Sequence, residues 1–147
     1  MANYNNILVA VDLSDAVDSV VQKAVDVAQR NQAKMTLFHV VEYLPPMDVS
    51  YEPALTTNWA MDSDLLVKHA TDRLQKICDK HHLKDIRQVV VVGTAKYEIC
   101  TYAGENNCDL IILGAHGRHG IRLLLGSTAN GVLHEMPCDV MAIKITE

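Results

Sequence analysis

The stretch "NILVAVD" near the start of the chain is apolar at nearly every position, rich in β-branched residues and too short for a helix. Such a run suits a strand buried on both faces, because a strand with one wet face alternates apolar with polar residues. The pattern recurs, and strands are predicted at Asn6–Val11, Lys34–Val41 ("KMTLFHVV"), Ile86–Gly93 ("IRQVVVVG"), Asp109–Gly114 ("DLIILG") and Val140–Ile145 ("VMAIKI").

Helical spacing fills the gaps between these runs. Val17, Val20, Val21, Ala24 and Ala28 form one stripe across Asp15–Gln29, with Ser14 as expected N-cap and Asn31 as stop. Leu66, Ala70, Leu74 and Ile77 mark a second helix ending near His81 and His82. Thr94 is the expected cap of a third, which runs through Ile99 and Ala103 to about Asn107. Ala129, Val132, Leu133 and Met136 mark a fourth. Residues 42–61 hold three of the four prolines and read as a long loop. Strands alternating with helices predict an α/β three-layer sandwich, a five-stranded parallel sheet covered by four helices. The fold class expected is the flavodoxin/Rossmann-like one, with strand order 3-2-1-4-5. At 147 residues the chain is expected to form a single domain, residues 1–147.

Charge narrows the partners. A formal charge of −5 with only 13 Lys and Arg argues against nucleic acid, whose affinity rests on neutralising many phosphates at once. The N-terminus lacks a basic start followed by an apolar stretch, and no segment approaches the roughly 18 apolar residues of a membrane span. A cytoplasmic location without membrane contact is therefore expected. Cys78, Cys100, Cys108 and Cys138 are scattered, without a C-x-x-C pair, and read as reduced thiols in the core.

Ligands of open parallel sheets sit beyond the carboxyl ends of the strands, which here carry Asp12, His39–Val41 and Gly114. The turn after the first strand, "AVDLSD", contains no glycine, so neither a dinucleotide fingerprint nor a P-loop is present. The sequence "GAHGRHGIRLLLGSTAN" offers another arrangement: Gly114 and Gly117 end the fourth strand, and Gly126, Ser127 and Thr128 open the fourth helix. Glycine allows close backbone approach to an anion, and a helix N-terminus presents free N–H groups and a positive dipole end. Ser127 and Thr128 add hydroxyl donors, and Arg118, with Arg122, adds charge. Spacing alone leaves open that these glycines merely end a strand and start a helix.

"NILVAVDLSD", "LFHVVE", "VVVGTAKYEI" and "DLIILGAHGRHGIRLLLGSTANGVL" together give the chain a resemblance to the universal stress protein family over nearly its full length. Nucleotide-binding members of that family carry G-x2-G-x9-G-[ST] around the triphosphate and ribose, and an Asp near the nucleoside. The resemblance thus implies an ATP or other adenine-nucleotide site built from Gly114, Gly117, Gly126, Ser127 and Asp12. It further implies an adenine contact through the backbone of Val40, with Ala10 lining the same pocket. Mg²⁺ would arrive with the nucleotide. Here eight residues separate Gly117 from Gly126, where the family has nine, which bears on where Arg118 and His119 lie relative to the phosphates.

Asp12 suits hydrogen bonding to ribose or to the adenine amine, its alternative being to cap the first helix. His116 and His119 lack the convergent partners a metal site needs and read as loop histidines near phosphate, so no metal site is assigned. Tyr97, Tyr102 and Cys100 read as helix–sheet packing, and Met35, Met136 and Met141 as core filling. No nucleophile or base is evidently placed for catalysis, which leaves at most slow ATP hydrolysis. The last strand, Val140–Ile145, has no later strand to cover it and predicts a homodimer by antiparallel pairing. Two functions follow from this: a nucleotide-binding stress-response regulator, or a dimeric interaction module that does not use nucleotide.

Overall fold

The computed structural model describes residues 3–14, 16–42, 53–115 and 127–145, with side chains from residue 63 in the second helix and from residue 128 in the fourth. Its elements are β1 (Asn6–Ala10), α1 (Val17–Asn31), β2 (Lys34–Val41), α2 (Pro53–Lys80), β3 (Arg87–Val92), α3 (Ala95–Glu105), β4 (Leu110–Ala115), α4 (Ser127–Glu135) and β5 (Asp139–Lys144). The five strands form one parallel sheet, as the alternation of elements predicts, and its order is the expected β3-β2-β1-β4-β5.

Strand residues divide strictly between two cores. Ile7, Val9, Met35, Leu37, Leu110 and Ile112 face α1 and α2, where they meet Val20, Val21, Ala24, Leu74 and Ile77. Leu8, Phe38, Val40, Ile111 and Leu113 face α3 and α4, where they meet Ile99, Ala103, Ala129 and Val132. The two-residue period of a strand thus explains why the runs are apolar throughout. Tyr102 of α3 packs on Phe38 with ring centroids 4.9 Å apart. Tyr97 and Met136, expected in packing roles, are instead 64% and 51% exposed. Met136 lies just past α4 with a φ of 34°, which takes it off the helical stripe.

Helix boundaries depart from expectation at the starts of α1 and α2. Ser14 does not cap α1: Ala16 takes the N-cap position without a side-chain cap bond. The Ser14 amide is instead tied to the Asp12 carboxylate, which shifts the helix start downstream. The second half of the expected loop is helical, because α2 begins at Pro53. Proline at the first helical position forfeits an N–H that has no intrahelical acceptor there, so it starts a helix as readily as it marks a loop.

Helices end on left-handed residues that are not glycine: Gln32, His82 and Asn107 have φ of 54°, 57° and 56°. Each is followed by an amide reaching back five residues, Ala33 to Ala28, Leu83 to Cys78 and Cys108 to Ala103, at 2.8–2.9 Å. The three apolar residues that follow pack onto the adjoining core, completing Schellman motifs whose hydrophobic contact offsets the strained φ. Cys78 and Cys108 are buried and Cys100 and Cys138 half-buried, all as free thiols. Burial raises each thiol pKa, that of Cys138 to about 11 with the charges of Cys108 and Asp139 adding to the effect.

Leu74 has no exposed surface, and Leu74→Ala is expected to lower unfolding free energy by about 2–5 kcal/mol in urea titrations. Leu65→Ala, at a position 55% exposed, should change it by under about 0.5 kcal/mol. Asp18 sits 2.6 Å from Lys80 Nζ and 2.9 Å from His81 Nε2. Hydrogen bonds from Lys80 first and His81 second hold its carboxyl below the ordinary 3.8. A depressed carboxyl pKa stabilises the fold above the unfolded-state value, and the contribution disappears as pH falls through the folded-state value. With Asp18 this exposed, its loss in Asp18→Asn should amount to at most about 1 kcal/mol at neutral pH and disappear once the pH is below the folded-state value.

Candidate functional site at the carboxyl edge of the sheet

The register of the central strands sets the site. Ala10 lies between Phe38 of β2 and Leu113 of β4, so the residues just beyond these three leave the sheet together at one edge. Ala10 is half-buried on the α3/α4 side. Val40 is buried there too, packed in the core, which leaves its backbone as the part available at the edge. Asp12 is exposed, and its Oδ1 accepts from the Ser14 amide at 3.0 Å. This bond closes a local turn and excludes the alternative in which Asp12 caps α1, whose N-cap is Ala16.

The turn around Asp12 is held from outside. The Val11 amide donates to the Phe38 carbonyl at 2.9 Å, and the Val11 carbonyl lies 2.7 Å from His39 Nδ1. A carbonyl only accepts, so His39 carries its proton on Nδ1. The next residue but one, Leu13, is buried with φ of 59°, a conformation that costs a residue with a Cβ about 1–2 kcal/mol. Its carbonyl accepts from Arg73 Nη2 of α2 at 2.5 Å. Ser14 Oγ is buried and has no hydrogen-bond partner among the described residues. Periodicity assigned His39 only to a strand end and gave Arg73 no role, since the contacts that single them out cross 28 and 60 residues of sequence.

Gly114 lies within β4, as expected, one residue before its end, and its φ is not positive. Its small size is demanded by packing: a Cβ there would come within 2.5 Å of Ile145 Cδ1 and 3.1 Å of Val20 Cγ2. The glycine therefore lets α1 and the end of β5 close over β4. α4 begins at Ser127, as expected, and carries no acidic residue in its first turn to offset the positive dipole end. Thr128 is half-buried in that turn. His116, Gly117, Arg118 and Gly126, together with His119 and Arg122, lie outside the described residues.

The structure thus brings Ala10, Asp12, Val40 and Gly114 to one sheet edge, with α4 starting after the strand that carries Gly114. A separate open groove of about 710 Å³ lies at the opposite edge, where Asn6, Lys34 and Arg87 begin their strands, and none of the expected site residues lines it. The profile of the Universal stress protein family matches residues 3–144. The chain belongs to the universal stress protein family. It is 40% identical over 146 residues to "Universal stress protein A homolog 2" of Coxiella burnetii, covering 99% of this chain and 98% of that one. The structure of universal stress protein UspA from Lactobacillus plantarum superposes with a TM-score of 0.72 at 31% identity, over 97% of this chain and 99% of that one. A universal stress protein solved in complex with cAMP shares the fold, with a TM-score of 0.62 at 24% identity over 99% and 100% of the two chains.

For this universal stress protein, Gly114→Ala is expected to cost about 1–3 kcal/mol through overpacking against Ile145 and Val20. Ile145→Val, which removes the Cδ1 atom nearest that Cβ, should recover part of the loss, so a double-mutant cycle by thermal unfolding should give a favourable coupling.

Proposed function

We propose that the protein binds an adenine nucleotide, ATP, at the carboxyl edge of the sheet, and acts as a single-domain stress-response regulator whose occupancy sets how it engages partners. What supports this is an exposed carboxylate on the exit of the central strand, together with a helix, α4, that follows the neighbouring strand β4 and starts free of acid. Asp12 Oδ2 has no partner among the described residues and can accept from ribose hydroxyls or the adenine amine. The Val40 backbone is the adenine contact in this reading, with Ala10 beside it. Gly114, Gly117, Gly126, Ser127 and Thr128 surround the phosphates, and His116 and Arg118 supply side chains from the loop. Mg²⁺ comes with the nucleotide and is held mainly by phosphate oxygens. The cAMP bound by a protein of the same fold is itself an adenine nucleotide, which supports this choice of ligand.

β5 is an edge strand whose Ala142 is exposed, and we assign it to antiparallel pairing with a second copy in a cytoplasmic homodimer. The same edge is what the other function needs: a dimeric interaction module that ignores nucleotide.

Denaturing the purified protein and identifying what it releases, followed by ATP titration of the apo form, separates the two. Released adenine nucleotide, measurable binding heat and at least tenfold weaker binding by Gly117→Val are expected, at a particle mass twice that of the chain. Absence of both released nucleotide and binding heat would leave the interaction module, and unchanged binding by Gly117→Val would move the site elsewhere.

A further inference from the structure

We infer that His39 and Arg73 are positioning residues for the ligand edge: from β2 and α2 they fix the two carbonyls that flank Asp12, and so hold its carboxylate in its bonded orientation. The inference rests on the nucleotide-binding function proposed above and adds to it two residues that touch no ligand.

The geometry is specific. Val11 and Leu13 bracket Asp12, and each carbonyl accepts a side-chain donor from another element, His39 Nδ1 at 2.7 Å and Arg73 Nη2 at 2.5 Å. Both carbonyls belong to buried residues, where an unpaired acceptor is unfavourable, so the donors select this path for the chain. Leu13 persists in the left-handed region only because its surroundings over-determine it, and the Arg73 bond acts on that residue directly. With the flanking residues fixed, the Asp12 side chain turns back onto the Ser14 amide and keeps one oxygen outward. A site whose acceptor is already oriented loses less on binding than one that must be ordered by its ligand. Arg73 also makes α2 a physical neighbour of the site, because any shift of α2 along its axis pulls on the Leu13 carbonyl.

Hydrogen exchange of the Ser14 amide in the nucleotide-free protein reads the clamp directly, because that amide is held by the Asp12 carboxylate. His39→Leu and Arg73→Met keep side-chain bulk and remove the donors. Each is expected to speed Ser14 exchange at least tenfold while the amides of Leu8 and Ile111 stay as protected as before, and to weaken ATP binding at least tenfold. His39→Asn, whose Nδ2 stands the same number of bonds from the backbone as imidazole Nδ1, should restore both to within threefold of the parent; His39→Gln, one bond longer, should not. Unchanged Ser14 exchange in both donor-free variants overturns the inference, and so does faster exchange with undiminished ATP binding. Failure of the parent protein itself to bind ATP is a different result: it removes the proposed function, and with it the role of these residues at a ligand edge.

Discussion

The structure hangs on β1, the central strand of the sheet, hydrogen-bonded along both edges and packed on both faces. Ile7, Leu8 and Val9 have no exposed surface, so every backbone group there must pair with β2 or β4. Neither core could exist without it: Ile7 and Val9 anchor one, Leu8 the other. At its entrance the Asp109 carboxylate accepts from the amides of Asn5 and Asn6, at 2.8 and 3.0 Å. At its exit, pairing stops at Val11 and side chains from β2 and α2 take over. The central strand is thus terminated by polar grips at both ends, and the second of these is where the proposed ligand edge begins.

This division explains what could be read from the sequence. Strand positions were legible because burial on two faces writes itself as continuous apolar runs, and the helices because α1 shows one clean stripe. The parallel sheet with helices on both faces followed from connection rules. Family membership was legible from the strand ends and the glycine-rich stretch, and comparison with relatives supports it. The helix ends fell close to where they were expected, at Asn31, near His81 and His82 and near Asn107, although the left-handed residues that close them, Gln32, His82 and Asn107, are not the glycines that ordinarily signal such an end. Pro53 was misleading, as it begins a helix where it had marked a loop. Asp12 and Gly114 lie at the carboxyl edge, as their strand-end positions imply, yet Gly114 is small for packing and not for backbone freedom. His39 and Arg73 gave no local signal, because their partners lie far away in sequence.

An acidic chain that holds an anion must find its positive potential locally. With a net charge of −5, the protein as a whole would repel a polyphosphate. In the proposed site the compensation comes from backbone amides at the start of α4, whose first turn is free of acid, and from loop arginine. The same economy applies at the sheet exit, where a backbone amide orients the Asp12 carboxylate.

The placement of β1 also constrains how the chain is assembled. The strand is made first, but Asn5 and Asn6 find their carboxylate partner 104 and 103 residues later, and β4 closes the open edge of β1 only then. While the ribosome is still adding α2 and β3, β1 has only β2 beside it, and its other edge stands ready to pair with whatever strand it meets. The interval before residue 110 emerges is therefore the one in which a nascent chain most needs a holding chaperone, and long-range closure by β4 marks its end.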